Sequence, residues 1–152
     1  MQARMTNIAS LVPAAMKALY ALSISGEKGG VPKRTIELIQ LRASQINGCG
    51  VCVDMHSRDL KKAGETDERL FSVVAWRESP YFTDAERAAL ALAEAASRLS
   101  DRPDAVPDEV WNEAARHYDE QGLASLLIAL ATIHAWNLFN ASTRQVAGQW
   151  VP

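Results

Sequence analysis

No stretch of this 152-residue sequence alternates apolar and polar residues for long enough to make a half-buried strand. Apolar residues return instead every three or four positions, between Gly, Pro and capping residues, which is the pattern of amphipathic helices. From Ala9 to about Ile24, the residues Leu11, Ala15, Leu19 and Leu22 keep helical spacing, with Pro13 tolerated in the first turn. "GEKGGVPKR" breaks the pattern, and Pro32 opens a helix carrying Ile36, Glu37, Ile39, Leu41 and Ala43 toward Asn47-Gly48. Gly48 predicts a helix stop, so that a third helix begins at Cys49 and runs to Gly64. Thr66-Asp67 starts another through Leu70, Val73 and Val74, and Thr83 to Glu86, "TDAE", forms a capping box before the alanine-rich "RAALALAEAASRL". Pro107 begins a short helix through Trp111 and Ala115, and Asp119 caps a long final one from Leu123 to about Gln145. The expected fold is all-α, about seven helices, in a single domain spanning residues 1–152. A chain of this length buries about 68–70% of its unfolded surface and needs no disulfide or metal to hold a core.

Lys plus Arg is 16 and Asp plus Glu is 18, a formal charge of −2, which leaves no basic patch for nucleic acid. Arg58, Lys61 and Lys62 are surrounded by Asp54, Asp59 and Glu65 and read as a solvated helix face. The longest apolar segment, Leu123 to Phe139, is interrupted by Ser125, Thr132, His134 and Asn137 and falls short of the ~20 residues of a membrane span, so a buried helix is expected there. No apolar stretch ending in small residues follows Met1 to Arg4, which predicts a cytoplasmic location and reduced thiols.

The chemistry concentrates in "INGCGVCVDMHSRDLKKAG", residues 46–64, which holds both cysteines and one of the three histidines. With Cys49 at the start of the third helix, Cys52 and His56 follow at three and four residues, placing all three within about 60° on one face. The first helical turn presents free amides and the positive end of the macrodipole, which favour a thiolate. Such a thiolate attacks a peroxide or a disulfide, and the second cysteine resolves the product. His56 is placed to exchange a proton with Cys52, and Glu37, a carboxylate among Ile36, Leu38, Ile39 and Leu41, is the candidate to orient it. The same residues admit plainer readings: a surface glutamate, a solvated histidine, and two small core cysteines.

The spacing of Glu37, Cys49, Cys52 and His56, E-x11-C-x2-C-x3-H, resembles the alkylhydroperoxidase AhpD-like proteins of the carboxymuconolactone decarboxylase superfamily. The flanking stretches "LRASQINGC", "CVDMHSRDLKKAGE", "WRESPYFTDAERAALALAEA" and "IHAWNLFNAS" are similar too, so the resemblance covers roughly Thr35 to Ser142. It implies a compact helical core, oligomerising through helix packing as a homotrimer or homohexamer. It also implies Cys52 as the peroxidatic thiol, Cys49 as the resolving thiol, and Glu37 with His56 as a proton relay. On this reading the chain is an antioxidant hydroperoxide reductase that takes a small hydroperoxide and a thiol or dithiol reductant and needs no cofactor. Gly50 and Val51 stand between the cysteines where the best-studied relatives carry a histidine, and His134 stands where similar proteins often have Asn. The decarboxylase branch generally lacks the CxxC, so both thiols together argue against lactone decarboxylation. Two alternatives remain beside this one: a metal site with Cys49, Cys52, His56 and Glu37 as ligands, and a non-enzymatic, redox-sensing or stress-response helical assembly.

Overall fold

A computed structural model describes residues 2–101 and 103–149. Among these residues the chain is all helical, with eight α-helices and two short 3-10 turns. The helices are α1 (Ile8–Leu11), α2 (Pro13–Gly26), α3 (Lys33–Ile46), α4 (Gly50–Lys62), α5 (Asp67–Ser72), α6 (Asp84–Ala96), α7 (Asp108–His117) and α8 (Glu120–Thr143). The all-α expectation holds. The first expected helix is split, because Pro13 takes the first position of α2 and the chain breaks at Val12 before it. The expected run from Thr66 to Val74 also ends early: α5 stops at Ser72 and gives way to a 3-10 turn, Val73–Glu78, kinked at Ala75.

Helix α3 is the hub, packing against α4, α6 and α8. It is apolar on two sides. Ile36, Ile39 and Ala43 share one core with Ala89, Leu92 and Ala93 of α6 and Leu126, Leu130 and Ile133 of α8. Leu38 and Leu41 enter a second core with Leu60, Val73, Trp76, Phe82 and Leu90. Each of these buried leucines contributes roughly 1.5–3 kcal/mol relative to exposure. Small alanines on α6 let the helices approach closely.

Two glycines set the register of the site. Gly48 and Gly64 both have positive φ, 66° and 88°, and both sit one residue past a helix's C-cap. In each case the following amide reaches back to a carbonyl of the last turn, Cys49 N–H to Ser44 O and Glu65 N–H to Leu60 O. This double reach-back is the Schellman closure, which a Cβ at the left-handed position would strain. The capping box at Thr83 forms as expected: Glu86 N–H donates to Thr83 Oγ1 and Thr83 N–H to Glu86 Oε2.

Glu65, placed by Gly64, is a buried carboxylate held by Arg34 Nε at 2.6 Å and Arg69 Nε at 2.8 Å, and Arg69 also reaches Glu86 at 2.6 Å. This clamp ties the start of α3 to α5 and α6. Burial pushes the Glu65 carboxyl up, but the two guanidinium groups outweigh it and hold it below the usual carboxylate range.

The apolar stripe expected on the first helix turns outward. Leu11, Ala15 and Leu22 are exposed and Leu19 is half-buried; Val12, Tyr20 and Ile24 are exposed too, whereas Met16 and Gly26 are buried. The reason is that α2 lies against α8 alone among the core helices, so one narrow strip of it is covered.

Glu65→Gln is expected to destabilise the fold by about 3 kcal/mol, the low end for a broken buried ion pair, because Arg34 is half exposed and Arg69 keeps Glu86. A depressed carboxylate contributes stability above its unfolded pKa and loses it as pH falls through the lower folded value. The gap between wild type and Glu65→Gln in urea midpoint therefore narrows below about pH 4.

Candidate active site

The Schellman turn at Gly48 delivers Cys49 directly to the N-cap of α4. Cys49 thus stands at the start of this helix, as expected from sequence, at the N-cap and in an extended conformation. Its side chain folds over the turn, and its sulfur accepts the Cys52 N–H at 3.4 Å. The two sulfurs are 2.7 Å apart as free thiols, Cys49 donating to Cys52, and each residue is 1% exposed. The shared helix face still joins Cys52 to His56, and Cys49 joins them by curling back.

Glu37, in the second turn of α3, faces α4 and meets His56 there, its Oε2 2.7 Å from Nδ1. A carboxylate only accepts, so Nδ1 carries a ring proton toward Glu37 and Nε2 is the nitrogen left to face the site. Among the described residues, His56 Nε2 is the buried side-chain nitrogen or oxygen without a hydrogen-bond partner. A buried, oriented and unpaired imidazole nitrogen is placed to exchange a proton. All four residues expected from the sequence therefore lie together where α3 and α4 face each other.

The C-terminal half of α8 closes the site with residues that sequence reasoning did not single out. Asn137 is buried; its Nδ2 donates to Ser44 Oγ at 3.1 Å and its Oδ1 accepts from Asn47 Nδ2 at 2.9 Å. One turn on, Asn140 Nδ2 donates to Cys52 Sγ at 3.5 Å. The signal was the pair of amides three apart in an otherwise apolar helix, which share a face and need buried partners. His134 lies elsewhere, donating through Nε2 to Ser97 Oγ at 2.9 Å, which ties α8 to the end of α6.

The electrostatics separate the two thiols. Cys52 is lowered to about 6, chiefly by the Cys49 S–H, against the opposing effect of burial, with help from the Asn140 and Asn137 amides and the His56 imidazole. Cys49 is pushed up, because it gives its hydrogen to Cys52 and is itself buried. This asymmetry favours ionisation at Cys52 over Cys49. Among the described residues no three His, Cys, Asp or Glu side chains are disposed to hold a metal ion together. A surface cleft of about 570 Å3, lined by Gly30, Arg34, Glu86, His117 and Tyr118 among others, shares no residue with the thiol site.

Cys52 is expected to alkylate with a half-maximal rate near pH 6, far below the free-cysteine value of about 8.5, and to be roughly nine-tenths ionised at pH 7. The pH profile of iodoacetamide labelling of Cys52, resolved by peptide mass, measures this midpoint.

Residues 10–95 match the model of the carboxymuconolactone decarboxylase family. The chain is 35% identical over 127 residues to the uncharacterized protein YdfG of Bacillus subtilis (strain 168), covering 84% of this chain and 85% of that one. It is 47% identical over 45 residues to the alkyl hydroperoxide reductase AhpD of Bradyrhizobium diazoefficiens, a stretch that is 30% of this chain and 25% of that protein. An Agrobacterium tumefaciens protein of unknown function, a candidate antioxidant-defence AhpD, superposes with a TM-score of 0.90 at 32% identity, over 98% of this chain and 100% of that one. The debrominase Bmp8 superposes with a TM-score of 0.81 at 22% identity, over 92% and 74% of the two chains, a likeness of fold alone. A family match across more than half of the chain, a full-length relative and the AhpD-like helical fold agree: the chain belongs to the carboxymuconolactone decarboxylase family, with AhpD-like relatives.

Proposed function

We propose that the chain is a thiol-dependent hydroperoxide reductase of antioxidant defence, with Cys52 as attacking thiol, Cys49 as resolving thiol and Glu37–His56 as proton relay. The observation that carries this reading is the contact of an ionisable Cys52 with Cys49, 2.7 Å away, beside an imidazole fixed by Glu37. His56 takes the Cys52 proton at Nε2 and the thiolate attacks the terminal oxygen of the hydroperoxide; an S–O bond forms, the O–O bond breaks, and the alkoxide takes that proton from His56. Cys49 then attacks the Cys52 sulfenic acid, forming the disulfide and releasing water, its proton passing to the departing hydroxide. A dithiol reductant returns the two electrons by exchange through a mixed disulfide. Glu37 keeps His56 in the tautomer that accepts and returns the proton at Nε2, a role general acid–base groups fill at roughly 10²–10⁴-fold in rate.

Peroxide consumption with a dithiol reductant tests the assignment. Cys52→Ser is expected to fall to the uncatalysed rate, and Glu37→Gln to lose about tenfold or more. Equal rates in wild type and Cys52→Ser would sink the catalytic reading. A single stoichiometric oxidation without turnover would point to the redox-sensing alternative.

We also propose that the outward apolar face of α2 is covered by a second copy of the chain, in a homotrimer or homohexamer. Leu11, Val12, Tyr20, Leu22 and Ile24 are all exposed on this one segment, and exposed apolar surface of this kind is what a contact with another chain covers. Light scattering at micromolar concentration should give three or six times the chain mass, and Leu22→Glu with Ile24→Glu should reduce it. A wild-type mass of one chain rejects this part.

A further inference from the structure

We infer that Asn140 is a catalytic residue, the fixed neutral donor that holds the negative charge on Cys52. This rests on the reading of Cys52 as the attacking thiol and adds a group from α8 to a site otherwise built by α3 and α4. Three observations place it. Asn140 Nδ2 reaches Cys52 Sγ at 3.5 Å, within N–H···S range. Asn137, one turn earlier on α8, is buried with its amide nitrogen on Ser44 and its amide oxygen on Asn47, so the helix cannot rotate or slide without breaking both bonds. Asn137 is therefore the positioning residue that keeps Asn140 over the sulfur.

The chemistry favours an amide here. Both thiols are buried, and burial alone destabilises a thiolate. Cys52 meets the Cys49 S–H on one side, His56 acts on it through space from its own helix with Glu37 behind the ring, and α8 contributes amides. His56 changes charge when it moves a proton, and Cys49 gives up its hydrogen when it resolves the sulfenic acid. The Asn140 amide does neither. It offers the same N–H at every stage and every pH, and charge-assisted bonds of this kind are the strong ones.

The test is the pH profile of iodoacetamide labelling in a Cys49→Ser background, where the serine hydroxyl keeps a donor beside Cys52 and one thiol remains. Asn140→Leu, similar in shape but without the N–H, is expected to raise the midpoint by about one pH unit. That is roughly tenfold less thiolate at pH values below it, with the limiting rate at alkaline pH unchanged. Asn140→Ala gives the same reading if the bulkier leucine disturbs the helix. A residue that merely packs would change thermal stability and the limiting rate but not the midpoint. An unchanged midpoint in a folded variant overturns the inference. Labelling reads the thiolate without any peroxide, so a protein that failed to turn over peroxide would still show whether Asn140 governs Cys52.

Discussion

Between Ile46 and Gly50 the chain ends one helix and starts the next with only Asn47, Gly48 and Cys49. The reach-back of the Cys49 amide to Ser44 closes α3, and the Cys49 side chain and carbonyl open α4. One residue thus belongs to both caps. That economy brings α4 back along α3, puts the second turn of α3 opposite the second turn of α4, and lets Glu37 reach His56. A longer connection would free the angle between the helices and with it the distance between carboxylate and imidazole. The site depends on a left-handed glycine as much as on any reactive group.

The thiol pair is buried, so most polar groups near it are matched within the protein. Helix α8 contributes to that matching while remaining apolar enough to serve as a core helix. By length and mean hydropathy it is the one described helix that could pass for a membrane span, yet half of it is buried against the other helices. Its buried polar side chains find partners: Ser125 donates to the Gly26 carbonyl, Thr132 back-bonds to Ile128, and Asn137 bridges Ser44 and Asn47. These bonds fix where α8 sits, and Asn140 inherits its position from them. Polar satisfaction and site geometry are here the same set of contacts.

A thiolate favoured on Cys52 also bears on redox poise. Whatever stabilises the reduced, ionised form makes the disulfide a better oxidant and easier to reduce again. Under the proposed function, such a site suits a pair that cycles rather than a structural bridge. Away from it, the Arg34–Glu65–Arg69–Glu86 clamp holds the opposite end of α3. The hub helix is pinned by charges at its start and by the Gly48 turn at its end, and Glu37 lies between the two.

The helical class was legible because the period of apolar residues is a local property, and so were most of the helix boundaries. Thr83, Gly48, Gly64 and Asp119 announce caps whose geometry depends only on near neighbours. The four residues Glu37, Cys49, Cys52 and His56 were legible because three of them share one short stretch and the fourth is a carboxylate that an apolar helix cannot leave unpaired. Three things were decided only in the tertiary structure. The direction in which the apolar stripe of α2 faces depends on which helices cover it, and α8 covers only a narrow strip. The conformation of Cys49 depends on the turn before it, which holds it extended at the N-cap. The part played by Asn137 and Asn140 depends on α8, some ninety residues away in sequence, lying across the ends of α3 and α4. Local pattern fixes what a segment is, whereas long-range packing fixes what it touches, and the ionisation of Cys52 is a property of what it touches.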